Sequence, residues 1–308
     1  GQLWTPIVPG DEAVIEVKVP AQHLKDLALE LTEVQHGYRA FGTPGRGGDK
    51  SGSCNVDVTC PEADPWDPQV RSVAAIGVGN SRFCTGFMVN QTGDDLLPYL
   101  MTANHCNIDV QVPAASVVVY WNYQHPTCRP PGSGDSGTPY FGNLSQTQTG
   151  ATVVARAGAS DYTLLELDQM PEMDYNVHWV GWDARPIEAA TSLSVHHPRG
   201  HAKRISFEND PTTTTSYLDD EVPGDGTHLR VEDWDLGTTE PGSSGAPLFN
   251  QDGRVIGQLH GGAAACNNDD PDWYGRFSRS WELGLREYLD PAETGVLVLD
   301  GRDKPIGL

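Results

Sequence analysis

Apolar runs in this chain are short, rich in β-branched residues and soon cut by glycine or proline. The stretches 73–78, 85–89, 96–102, 116–121 and 164–167 form one series; 177–182, 193–197 and 254–259 form a second. Runs of this length bounded by turn residues read as strands, whereas helices would need longer apolar stripes at a 3.6-residue period. Thirty-four glycines and 23 prolines among 308 residues supply the turns. The expectation is an all-β protein of two packed β-barrels, about 60–170 and 175–300, with a site at their junction. One segment departs from the pattern. Trp281, Leu285, Tyr288 and Leu289 stand at helical spacing before Asp290 and Pro291, so a short C-terminal packing helix is predicted over 280–289.

The six cysteines are Cys54, Cys60, Cys84, Cys106, Cys128 and Cys266, none in a C-x-x-C pair. That spacing argues against zinc and thioredoxin-type chemistry. An even number spread through a β-rich chain points to disulfides formed in an oxidising compartment, so a secreted, extracellular protein is expected. Spacing alone leaves the pairing open. No run approaches the roughly 18 apolar residues of a membrane span. The N-terminus lacks the basic and apolar regions of a secretory leader, and any such leader is expected to have been removed. Forty-two acidic against 20 basic residues give a formal net charge of −22. This argues against nucleic acid or anionic membrane as the main partner, suits solubility, and would attract cationic substrates. A monomer is expected.

Chemistry concentrates in three stretches. In 239–249, Gly242, Ser243, Ser244 and Gly245 precede an apolar run, an arrangement that presents a hydroxyl on a tight turn. Glycine permits positive φ there and leaves backbone amides uncovered, so the N–H groups of Gly242 and Ser244 could stabilise an oxyanion. Taken alone, this is also an ordinary Ser/Gly turn. Residues 101–106 add His105 at the end of an apolar strand, just before Cys106. Residues 159–167 add Asp161 in front of another, where an unpaired carboxylate would be costly. A serine hydroxyl is a poor nucleophile without a neighbouring base. His105 can take its proton, and Asp161 can fix the imidazole tautomer, in the chain order His, Asp, Ser.

The stretch 102–106 resembles the Thr-Ala-x-His-Cys signature of trypsin-like serine proteases. Residues 53–61, 118–124, 145–150, 160–167, 239–247 and 257–262 are similar to bacterial lysyl endopeptidases, the lysine-specific branch of that superfamily, over about residues 50–300. The resemblance implies a trypsin-like fold, peptide or protein substrates containing lysine, and no cofactor. It implies the pairs Cys54–Cys266, Cys60–Cys128 and Cys84–Cys106. The first closes a very long loop, worth about 5 kcal/mol on the chain-entropy account. It places the lysine-binding carboxylate at Asp272, with Asp269, Asp270 and Glu240 as acidic competitors nearby. His260 falls beside the cleft, where substrate backbone should pair with the edge formed by Gln258 to Gly262, including Gly261 and Gly262. The family stacks a tryptophan on this histidine. Here a departure is expected, since acidic residues 219–221 fall where the tryptophan would stand.

Ser243 stands where pancreatic-type enzymes carry an aspartate that pairs with a freed N-terminal amine. Activation of this chain should therefore not depend on burying such an amine. Residues 1–49 are expected to form an N-terminal accessory or propeptide-derived segment ahead of a protease domain at 50–308. Within it, 13–19 alternates like a half-buried strand, 23–31 reads as a short amphipathic helix or polar-faced strand, and 42–48 as a flexible linker. The segment 36–39 resembles the end of the family's propeptide, and Lys50 is a candidate self-cleavage point. The runs 267–270 and 219–221 lack calcium-loop spacing, so no metal is expected, and His196 and His197 read as structural. Competing readings are an Arg/Lys-specific protease, a catalytically silent protease-like binding protein, and an esterase. The last is disfavoured by the absent Gly-x-Ser-x-Gly elbow.

Overall fold

The computed structural model describes residues 3–8, 12–34, 51–79, 82–110, 112–138, 140, 142 and 144–304. The linker at 42–48, the 36–39 segment and Lys50 lie outside the described residues. The first strand, β1 (Val56–Asp57), crosses over to pair with a strand of the second half of the chain. The next seven make one antiparallel sheet. They are β2 (Val73–Val78), β3 (Arg82–Met88), β4 (Tyr99–Ala103), β5 (Val118–Tyr120), β6 (Thr147–Thr149), β7 (Ala151–Ala157) and β8 (Tyr162–Leu167), in the order β6-β5-β2-β3-β4-β8-β7.

The remaining strands are β9 (His178–Trp179), β10 (Trp182–Asp183), β11 (Ser192–His196), β12 (Arg204–Glu208), β13 (Thr213–Thr215), β14 (His228–Val231), β15 (Pro247–Asn250), β16 (Val255–Gly262), β17 (Asp272–Arg276), β18 (Val298–Leu299) and β19 (Arg302–Asp303). The second sheet runs β1-β12-β11-β15-β16-β17-β14-β13, with β10 bridging β16 and β18, while β9 pairs β19. The protein is thus all-β, as the two series of short runs imply. β4 is buried along its whole length, and β8 everywhere but Glu166. Continuous apolar runs, not alternating ones, are what strands covered on both faces require.

The two sheets share a core in which Phe87, Met101 and Leu164 of the first meet Val195, Ile205 and Phe249 of the second. Buried Asp57 on β1 pins the crossover. It takes hydrogen bonds from Arg129 Nε and Nη2, each at 2.8 Å, and pairs with Arg204 Nη1 at 2.9 Å. Removing one partner from such a buried cluster would strand a charge in low dielectric.

Four expectations are refined or corrected. The short C-terminal helix forms, but with a break inside it: α-helical Phe277–Ser280 and Arg286–Leu289 flank a π-type turn, Trp281–Leu285, where Gly284 sits at φ +115°. The break lets the Leu283 carbonyl accept the Tyr162 hydroxyl at 3.2 Å, while Trp281 still packs on Trp182 with ring centres 4.7 Å apart. The run 177–182 is two short strands, because Val180 turns aside to exchange backbone hydrogen bonds with Met88 and Asn90 of the first half. The 13–19 stretch is no half-buried strand: it has no strand partner among the described residues, and Val14 is 86% exposed. Residues Ala21–Asp26 form a 3-10 helix with no buried residue, so the helical alternative for 23–31 holds only at its start. Alternation marks a strand only where a sheet edge is there to receive it.

Candidate active site

Strand register brings the first two groups together. Ala103 at the end of β4 pairs with Tyr162 at the start of β8, so the residues just beyond those ends are neighbours. His105 lies in the 3-10 turn Asn104–Cys106, and Asp161 precedes β8 at φ +54°. The Cys84–Cys106 disulfide ties the turn to β3, and Asn104 N–H donates to the Asp161 carbonyl at 2.7 Å. The Asp161 carboxylate grips His105 twice. Oδ1 accepts the backbone N–H at 2.8 Å, and Oδ2 accepts Nδ1–H at 2.7 Å. With Nδ1 protonated, Nε2 is the bare nitrogen, 2.8 Å from Ser244 Oγ and placed to accept its proton.

Ser244 comes from the turn before β15, and that turn is held by its carbonyls. Pro241 O accepts Arg199 N–H at 2.6 Å, Gly242 O the Thr85 hydroxyl at 3.0 Å, Ser243 O the Ala246 N–H at 2.9 Å, and Ser244 O the Thr85 N–H at 2.8 Å. In a planar trans peptide the N–H points opposite the preceding carbonyl. Anchoring Pro241 O and Ser243 O therefore aims the amides of Gly242 and Ser244 away from the supporting structure. Neither donates to a partner among the described residues. Gly242 takes φ +99°, and a Cβ there would press on the backbone of His197, Arg199 and Gly200. Glycine is required at this position.

His260 lies at the bulge in β16, its ring 5.4 Å from that of His105 and nearly parallel to it. On its other side the Tyr217 ring stacks at 3.6 Å, with planes 5° apart. This corrects the expected departure: residues 219–221 are exposed, and the aromatic cover comes from Tyr217, two residues earlier. Burial lowers the His260 pKa to about 4, outweighing the opposing pull of Asp161. Its Nδ1 meets His228 Nε2 at 2.9 Å. The donors run in one direction: His260 Nδ1–H to His228, His228 Nδ1–H to the Thr227 hydroxyl, and that hydroxyl to Asp225 at 2.6 Å. His260, neutral above about pH 5, adds no charge beside His105.

Asp272, at the start of β17, is 1% exposed. Its Oδ2 accepts Thr239 Oγ1–H at 2.7 Å and Trp234 Nε1–H at 2.8 Å. Its Oδ1 faces Gly262, where any Cβ would collide with it, so glycine is required beside this oxygen. Burial pushes the carboxyl above its usual range; the hydrogen bonds from Thr239, Trp234 and the Ala264 amide act the other way. A cation entering against Oδ1 would relieve that cost. The acidic competitors are placed differently. Asp269 and Asp270 are exposed, while Glu240 is engaged by Arg199 Nε, Asn55 and the Gly52 amide, each at 2.8 Å. The bonded cysteine pairs are Cys54–Cys266, Cys60–Cys128 and Cys84–Cys106.

Among the described residues, His105, Asp161 and His260 are the one group of three whose metal-ligating atoms all lie within 4.8 Å of one another. Asp161 already holds His105 with both oxygens, and His260 Nδ1 is paired with His228, so the group is arranged for proton handling. Sequence reasoning missed Tyr217, His228, Trp234 and Thr239. The only available signal for Tyr217 was an isolated aromatic in an otherwise polar run.

A family profile described as lysyl endopeptidase, C-terminal domain, matches residues 48–275. A lysyl endopeptidase of Pseudomonas aeruginosa is 30% identical over 306 residues, covering 89% of this chain and 61% of that protein, so the chain spans under two thirds of its relative. Among solved structures, an HtrA-type protease with a tripeptide is similar at TM-score 0.47 and 14% identity, over 77% of this chain and 65% of that one. An M. tuberculosis protease in its active form is similar at TM-score 0.45 and 18% identity, over 75% and 86%.

Proposed function

The chain belongs to the lysyl endopeptidase family, and from that premise we propose that it is a secreted serine endopeptidase that cleaves peptide bonds after lysine. In this reading 50–308 is the protease domain and 1–49 an accessory or propeptide-derived segment. Ser244 Oγ attacks the scissile carbonyl as His105 Nε2 takes its proton, while Asp161 holds the ring and stabilises the imidazolium. The amides of Gly242 and Ser244 receive the oxyanion. His105 then returns the proton to the leaving amine, and water hydrolyses the acyl-enzyme by the same route. The lysine ammonium meets Asp272 Oδ1 past Gly262, while substrate backbone lies along His260 to Gly262. Three disulfides support an extracellular setting. The observation that carries the reading is the continuous file Asp161–His105–Ser244 at 2.7 and 2.8 Å.

The test is hydrolysis of matched lysyl, arginyl and glutamyl peptides, with and without a serine-directed inhibitor. Lysyl turnover abolished by the inhibitor and by Ser244→Ala is expected. Asp272→Asn should lower lysyl kcat/KM by ~10²-fold or more, the scale for losing a buried charge partner. Equal arginyl turnover would move the reading to a general basic-residue protease. No turnover of any peptide would leave a binding protein.

A further inference from the structure

Ser243 and His196 have no part in the proposed reaction, yet they touch. His196 is fully buried on β11, with Nδ1 2.7 Å from Ser243 Oγ and Nε2 3.2 Å from Ser206 Oγ. The surrounding donors decide every proton. Ser206 gives its hydroxyl proton to the Thr238 carbonyl at 2.8 Å, so it can only accept from His196, which must carry hydrogen on Nε2. Nδ1 is then bare and accepts the Ser243 hydroxyl. Ser243 Oγ in turn accepts the Glu240 N–H at 3.2 Å. The result is one unbranched file, Glu240 N–H to Ser243 to His196 to Ser206 to Thr238 O, with no charge in it.

We propose that neutral His196 is a positioning residue: by accepting the Ser243 hydroxyl it presets the turn that aims the Gly242 and Ser244 amides and the Ser244 nucleophile. This rests on the protease reading and deepens it. In enzymes with an aspartate before the nucleophile, an ion pair to a freed terminal amine does this work; here a hydrogen-bond file built from side chains within the fold replaces it. The same stretch makes a second tie. Beyond His196 the chain turns through Arg199 at φ +56°, whose N–H holds Pro241 O at 2.6 Å while its Nε holds Glu240. Segment 196–200 thus grips 240–243 by backbone and by side chain.

The ring is suited to staying neutral. Burial is the main force lowering its pKa, with the Arg204 guanidinium acting in the same direction, and no carboxylate among the described residues bonds to it. His197, its neighbour in the chain, is buried as well and bonds the His201 carbonyl.

Two substitutions separate positioning from simple volume filling. Asparagine reproduces the Nδ1 acceptor of histidine, whereas glutamine reaches the Nε2 position and is nearer in size. His196→Gln and Ser243→Ala should each lower kcat on lysyl peptides by ~10²-fold with KM nearly unchanged, the scale of losing one oxyanion donor. His196→Asn should stay within about tenfold of native. A residue that only fills space predicts the reverse order, and that order, or native activity in Ser243→Ala, overturns the proposal. Ring 15N NMR of the native protein supplies a readout independent of turnover and of variant folding. A bare Nδ1 and protonated Nε2 on His196, unchanged from about pH 5 to about pH 9, are expected. A protonated Nδ1 or a titrating ring overturns the proposal even if the protein hydrolyses lysyl peptides. The expected ring in a protein without turnover would sink the protease reading and leave the file standing.

Discussion

Tyr217 shows how one side chain can set the chemistry of another. Its ring covers one face of His260. Stacked at 3.6 Å and hydrogen-bonded to His228, His260 is held at about 4 by burial. Tyr217→Ala should let water reach the ring and move its titration up from about 4 toward the ordinary histidine value of about 6.5. The expected loss in lysyl kcat/KM is roughly threefold to tenfold, the scale of one aromatic stack. Tyr217→Trp should keep the native pH profile. Proton NMR of the His260 ring with pH–rate profiles checks both; an unmoved His260 titration in the alanine variant would refute this role. The acidic loop that follows Tyr217 drew attention in the sequence because its charges are conspicuous, whereas a stacked ring is visible only once the loop's path is known.

At the scale of elements, antiparallel register explains how distant residues meet. The β4–β8 pairing delivers His105 to Asp161 across 56 residues, and Thr85 on β3 reaches over to hold two carbonyls of the nucleophile turn. The His, Asp and Ser motifs were legible because each sits at a strand end with a local signature. The strands themselves were legible as short apolar runs, but 13–19 was misread, since alternation says nothing about whether a partner strand exists. The break at Gly284 was equally hidden, because the apolar spacing of Trp281 and Leu285 fits a regular helix and the kink follows from packing against Tyr162.

Strand ends also carry a stability prediction. Glu208, the last residue of β12, is 2% exposed, and its pKa is raised to about 7, by burial first and then by Asp235, Asp233 and Asp210. A raised carboxylate favours the folded state only while protonated. Its benefit is complete below about pH 4.5 and is lost as pH rises through about 7. Glu208→Gln should therefore raise Tm by a few degrees at about pH 8 and change it little at about pH 4.5. Thermal melts at the two pH values test this, and an equal shift at both would contradict it.

For the whole molecule, a net charge of −22 surrounds the buried Asp272 carboxylate, so under the proposed lysyl specificity bulk field and local pocket would favour the same cationic substrates. The longest-range disulfide, Cys54–Cys266, joins the start of the second-sheet strand system to the loop before Asp272. The family resemblance placed that pair; spacing could not. The central claim concerns one hydroxyl in that frame. Treating the native protein and His105→Ala with a fluorophosphonate and mapping the adduct by mass spectrometry tests it most directly. The account predicts stoichiometric labelling of Ser244 alone in the native protein, slowed by ~10³-fold or more in the variant. Labelling of another residue such as Ser243, or equal rates in the two proteins, would contradict it.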